Sequence, residues 1–78
     1  NPFNSSVYIK FNVFQEGSLS IDIFDVKSRF IDKLTQKFYE KGNYEILWKV
    51  GNQINSGVYF VRLSSGNKMH TKKILYLK

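Results

Sequence analysis

The sequence predicts a single small antiparallel β-sandwich of about seven strands, and three observations carry that prediction. Ala, the best helix former, is absent, whereas 15 residues are β-branched (six Val, seven Ile, two Thr) and 13 are aromatic. Apolar and polar residues alternate with period two in one segment after another, and no segment carries a helical period. Turn-forming Gly, Asn, Asp and Ser recur about every ten residues. The 78 residues suit one domain, and the lack of Cys excludes a disulfide framework or a thiolate zinc site. The longest apolar runs, 58–61 and 74–77, are four residues. A bilayer span needs roughly 20, so no transmembrane segment is expected. Large side chains must supply the cohesion that a staple gives other small domains.

Taken in order, Val7, Ile9, Phe11 and Val13 alternate with Tyr8, Lys10 and Asn12, as in a strand with one buried face. Glu16-Gly17-Ser18 is a turn, and Leu19, Ile21 and Ile23 form a second strand, expected to make a hairpin with the first. Asp25-Val26-Lys27-Ser28-Arg29 carries turn chemistry, because an Asp side chain readily accepts from backbone N–H groups two residues on. A strand resumes over residues 30–34, where Ile31 and Leu34 break the alternation and indicate a bulge or a local end of pairing. A separate short edge strand is expected around Phe38-Tyr39. Gly42-Asn43 turns the chain into Tyr44, Ile46 and Trp48. The polar stretch 51–57 offers Ile54 as a plug into the core, and Tyr59, Val61 and Leu63 alternate in the next strand. Ser64-Ser65-Gly66-Asn67 is a hairpin turn leading to the last strand, 69–77. The expected core includes Phe11, Ile21, Ile23, Trp48, Tyr59 and Val61. Residues 1–6 are read as a connector and 7–78 as the sandwich, since Pro2 does not start a central strand.

Charge is unevenly distributed. Residues 1–45 hold six basic side chains and all six acids, whereas residues 46–78 hold six bases and no acid, so the whole +6 lies in the last part of the chain. Lys68, Lys72, Lys73 and Lys78 close it. Such a segment attracts anions such as lipid headgroups, lipopolysaccharide, nucleic acid or an acidic protein groove. The simpler reading makes the same lysines solvated positions that guard a sheet edge against aggregation.

Catalytic chemistry finds little footing. His70 is the single imidazole, and no acid follows Glu45 to orient it as a base. Asp22 and Asp25 could form a carboxylate pair, but acid/base work on a glycosidic bond also needs a cleft, and turn capping is the better reading of Asp25. The five glycines stand singly at turns, so there is no phosphate loop, and no cofactor or metal is expected. Asn4-Ser5-Ser6 fits a glycosylation sequon, a weak match. Tyr and Phe interleaved with Lys could suggest a single-stranded nucleic-acid surface, but the aromatics mostly take inward positions and half the chain is electrically neutral, which argues against nucleic acid as a partner. Gly57-Val58-Tyr59 is more informative: a Gly opening a strand marks a bend or a close backbone approach. The Tyr after it can bury its ring while its hydroxyl finds a backbone partner.

The ordered set of features then resembles a known family. It comprises Asn1-Pro2-Phe3-Asn4, Phe24-Asp25-Val26 with Arg29, and Gly42 before Tyr44-Glu45-Ile46-Leu47-Trp48. It continues with Asn55-Ser56-Gly57-Val58-Tyr59-Phe60-Val61-Arg62-Leu63 and closes with Lys73-Ile74-Leu75-Tyr76-Leu77-Lys78. Over essentially its whole length the chain resembles the type A C-terminal sorting domain of the type IX (Por) secretion system. The immunoglobulin-like domain of the flagellar hook-capping protein is similar through the central strands. The resemblance implies an immunoglobulin-like sandwich without enzymatic activity, carried at the C-terminus of proteins exported by Bacteroidetes. It implies an upstream cargo, passage through the periplasm, recognition by the outer-membrane translocon, and a secreted or cell-surface destination. In many members a surface sortase removes the domain and joins the cargo to anionic lipopolysaccharide. By match to the family pattern, Gly57 and Tyr59 fall on its Gly-x-Tyr element, and Lys73 and Lys78 on its terminal basic strand, which makes these four the expected sorting-recognition residues. Lys68 and Lys72 add possible contacts to an anionic surface. One departure stands out: the family turn carries Gly before Arg, where this chain has Ser28, so a left-handed backbone there would cost about 1 kcal/mol.

Two other readings compete. A structural or carbohydrate-binding sandwich appended to a secreted enzyme would show a row of exposed aromatics on one face, for which Tyr8, Phe24 and Phe60 are the candidates. A hook-capping-type immunoglobulin-like domain is the other.

Overall fold

The computed structural model describes residues 5–78 and, before them, the backbone of Pro2 and Phe3; the sequon residue Asn4, like Asn1, lies outside the described residues. A two-residue segment, β1 (Pro2–Phe3), precedes six long strands: β2 (Ser6–Val13), β3 (Gly17–Asp25), β4 (Phe30–Tyr39), β5 (Gly42–Lys49), β6 (Gly57–Ser65) and β7 (Lys68–Tyr76). They form a five-stranded sheet in the order β1-β7-β6-β3-β4 and a two-stranded sheet, β2-β5. All the long-strand ladders are antiparallel, and β1 runs parallel to β7. The Pro-containing segment thus lies on a sheet edge, where a missing N–H is tolerated.

The all-β sandwich follows from the period-two pattern, because each strand has one apolar face and the two sheets cover each other. Phe11 and Val13 of β2 meet Leu19, Ile21 and Ile23 of β3, Val61 of β6 and Trp48 of β5 in one buried cluster. All six core residues expected from sequence are in it, and Trp48, Ile21 and Ile23 are the most deeply buried. Ile54 packs against this cluster from the loop, as the plug its sequence position suggested.

Two local expectations are corrected. The first two long strands do not form a hairpin: among the described residues β2 pairs only with β5, whereas β3 lies between β4 and β6. Alternation specifies which face of a strand is buried but not its neighbour. With β2 and β3 in opposite sheets, their apolar faces cover each other; paired edge to edge, they would leave a shared face open. Second, no separate edge strand forms around Phe38-Tyr39, because β4 runs unbroken from Phe30 to Tyr39. Ile21 and Asp22 pair with Thr35 and Lys33, and Ile23 and Phe24 with Asp32 and Phe30. Leu34 and Ile31 are therefore the extra residues of two bulges. These bulges keep both side chains against the core although three positions separate them, so the irregular spacing bends the strand without ending it.

The side of the sandwich formed by β4 and β5 is closed. Trp48 Nε1 donates to Asp32 Oδ2 at 3.2 Å across the two sheets. Below it, Tyr39 and Tyr44 meet edge to face at 4.9 Å, and each packs against Phe11, at 5.4 and 5.5 Å. Among the described residues the opposite side, between β2 and β7, has no such seal along most of its length.

Candidate functional site

The sequence-derived residues fall into two groups at different places on β6 and β7. Gly57 opens β6 at φ +153° with open space where a Cβ would stand, so the backbone conformation and not a close approach requires glycine. This turns the chain so that Tyr59 buries its ring, 5.9 Å from Trp48 and 6.4 Å from Tyr76, while its hydroxyl donates to Asn55 O at 2.6 Å. Burial, followed by the nearby Asp25 and Tyr76, holds the phenol above its ordinary value near 10.0. Lys78 completes this end: its backbone N–H donates to Ser56 Oγ and its Nζ to Asn52 O, each at 2.8 Å. Gly57, Tyr59 and Lys78 are therefore brought together, and they tie the chain terminus to the 52–56 loop.

Sequence reasoning did not recognise that this device occurs twice. Gly42, at φ +155°, opens β5, and Tyr44 donates its hydroxyl to Glu40 O at 2.7 Å, four residues back, as Tyr59 does to Asn55. The shared Gly-x-Tyr spacing in Gly42-Asn43-Tyr44 and Gly57-Val58-Tyr59 was the available signal. Each copy fixes how a strand leaves its preceding turn, a role resembling the tyrosine corner of sandwich domains.

The second group lies along the exposed part of β7. Lys73 stands opposite Phe60, Lys72 opposite Val61 and Lys68 opposite Ser65, at the hairpin end. Lys78 lies five positions beyond Lys73, roughly 17 Å of extended chain, so the two do not form one patch. His70 pairs in register with Leu63 and is exposed. With Lys72 and Lys73 it lines an open groove of about 550 Å³ between β2 and β7, whose floor includes Ile21, Val61 and Leu63 and whose lining includes no Asp or Glu.

The acids are engaged separately. Asp25 organises its turn: Oδ1 accepts from Lys27 N and Arg29 N at 2.9 Å each, and Oδ2 takes the Arg29 Nε at 2.8 Å. The backbone hydrogen bond from Arg29, with further help from its side chain and from Lys27 N, holds the Asp25 carboxyl below its ordinary 3.8. Within that turn Ser28 takes φ +64°, so the left-handed geometry is kept without glycine. Asp22 instead meets Lys33 Nζ at 2.9 Å, so the two aspartates do not form a carboxylate pair. Among the described residues, no cluster of three His, Asp or Glu is placed to hold a metal ion.

The aromatics proposed for a carbohydrate platform do not form a row. Phe24 and Phe60 are neighbours in the five-stranded sheet, whereas Tyr8 belongs to the other sheet. The Phe24 ring is covered by the Arg62 guanidinium at 4.1 Å and flanked by Phe30 at 6.1 Å. No curated protein and no solved structure matches the chain. A family model does, that of the secretion system C-terminal sorting domain, over residues 1–77. That match spans both Gly-x-Tyr devices, the Asp25 turn and the basic last strand, and the chain belongs to this family of type IX (Por) sorting domains.

Proposed function

We propose that the chain is a non-catalytic sorting module that directs an attached cargo through the periplasm and across the outer membrane, to the cell surface or the medium. The observation that carries this reading is the family match over residues 1–77. The side-chain geometry agrees with it, since Asp22, Asp25 and His70 assemble no acid/base or nucleophilic site. In this reading residues 1–6 connect to the cargo, and the outer-membrane translocon reads the folded domain. Gly57 and Tyr59 hold the Gly-x-Tyr end in shape, while Lys73 and Lys78, with Lys68 and Lys72, contribute recognition and contacts to anionic surfaces such as lipopolysaccharide. A surface sortase then removes the domain and joins the cargo to that lipopolysaccharide.

The test fuses residues 1–78 to the C-terminus of a periplasmic reporter in a bacterium with a type IX system. The reporter is expected outside the cell. Truncating residues 73–78 removes Ile74 and Tyr76 from the core and should both unfold the domain and retain the reporter. Lys73→Gln with Lys78→Gln should leave a folded domain and lower export. A reporter that stays periplasmic with the intact domain, or that leaves with the truncated one, overturns the sorting role. A cleaved cargo bearing lipopolysaccharide supports the sortase step, and an intact fusion at the surface refutes it.

A further inference from the structure

The groove between β2 and β7 exists because the sandwich is incomplete on that side. The inward positions of β7 opposite Val61 and Leu63 are Lys72 and His70, so β7 stops covering the core once the chain is read back from Ile74. Leu63 and Ile9 are left half-buried as a result. Both walls are also sheet edges. Among the described residues β2 pairs on one side only, with β5, and β7 pairs beyond β6 only where Leu75 and Tyr76 meet Pro2 and Phe3. The backbone of residues 68–74 therefore presents unpaired N–H and C=O groups beside an apolar floor.

We infer that this groove binds an extended, acidic segment of a partner protein as an added strand along β7. Its apolar residues, at alternate positions, face Ile9, Val61 and Leu63 and lie along the stem of Lys72, whose ammonium reaches the groove mouth, and its carboxylates, on the outer face, meet Lys73. The added-strand geometry has a precedent in the molecule, since β1 occupies the same edge at Leu75 and Tyr76. Charge selects the partner: Lys72 and Lys73 line the groove with Lys10, which Glu45 approaches at 4.0 Å from outside it, and no Asp or Glu lies in the lining. A second copy of this chain is disfavoured, because pairing β7 with β7 would set these lysines against each other. The inference deepens the sorting role and rests on it only for the partner being a protein.

The experiment titrates the 78-residue chain, followed by amide correlation spectra, with a short peptide alternating Val or Ile with Glu or Asp. A peptide with Lys at the acidic positions and vesicles of anionic phospholipid are run in parallel. The acidic peptide should shift and protect amides of β2 and of residues 68–74 and leave β4 and β5 unmoved. Lys72→Glu with Lys73→Glu should weaken its binding about tenfold or more and admit the basic peptide; Lys72→Gln with Lys73→Gln should fall between. Both lysines are exposed, and a circular dichroism spectrum unchanged from wild type certifies each variant. The inference is overturned by shifts centred on β4 and β5, by equal binding of acidic and basic peptides, or by vesicles that occupy the groove when the peptide does not. This titration involves no export, so it and the reporter assay fail independently.

Discussion

Replacing Ser28 by Gly isolates the cost of one backbone conformation. Ser28 holds φ +64°, its N–H donates to Asp25 O at 3.0 Å, and its side chain is exposed, so the substitution removes no buried contact. An L-residue in the left-handed region loses roughly 1–2 kcal/mol to the crowding of its Cβ. Glycine removes that cost, but its freer unfolded chain returns about 0.4–1 kcal/mol. The net gain for Ser28→Gly is then about 0.5–1 kcal/mol, or a rise in Tm of roughly 2–8 °C for a domain of this size. Two controls separate the causes. Ser28→Ala keeps the Cβ and should change stability little, whereas the β-branched Ser28→Val should lower it. Thermal melts and urea titrations with an unchanged m-value provide the reading. A Ser28→Gly variant no more stable than Ser28→Ala would show that the turn imposes no cost on its Cβ and refute the reasoning.

Other outcomes follow from the same structure. Gly57→Ala should destabilise by about 1–3 kcal/mol through backbone strain alone, since the space for its Cβ is open, while Gly51→Ala should be close to neutral in the same melts. Tyr59→Phe and Tyr44→Phe should each cost about 0.5–1.5 kcal/mol by freeing a carbonyl four residues back, measurable by chemical denaturation. Trp48→Ala should cost roughly 3–5 kcal/mol and leave little folded protein by circular dichroism. Asp25, with its carboxyl held below 3.8, contributes stability that is present above that value and lost as pH falls through the lower folded one. Asp25→Asn should therefore flatten the acid limb of a stability–pH profile. Tyr59 acts in the other direction: its raised phenol adds stability that is present below pH 10.0 and lost as pH rises through its folded value, so Tyr59→Phe should flatten the alkaline limb.

Much of this architecture was legible in the residues because burial in a sheet has period two. The strands, the buried set around Trp48 and the irregularity at Ile31 and Leu34 all follow from local spacing. Strand partners do not. Nothing within residues 7–24 separates a hairpin from two strands facing each other across a core; only the supply of apolar faces elsewhere decides it. The Asp32–Trp48 link and the groove beside His70 were hidden for the same reason, since both join residues distant in sequence. Asp25 was readable because its chemistry is completed within four residues.

The distinction between local and distant partners also bears on which family residues face a partner. Gly57 and Tyr59 carry the family's Gly-x-Tyr pattern, yet every distinctive feature of the pair is used internally: the φ of the glycine, the buried ring, and the hydroxyl on Asn55 O. Gly42 and Tyr44 repeat the device at another strand, where the same geometry again serves the chain's own turn. A group satisfied by its own chain has little free energy left to offer a partner. Lys72 and Lys73 differ, being exposed beside unpaired backbone and an apolar floor. In the proposed sorting role, then, substitutions at Gly57 and Tyr59 should lower export in proportion to lost stability. Substitutions at Lys72 and Lys73 should lower it with the melting temperature unchanged. Export plotted against Tm for both sets checks this: two separate trends are expected, and a single common line would show that the basic strand, too, acts only through folding.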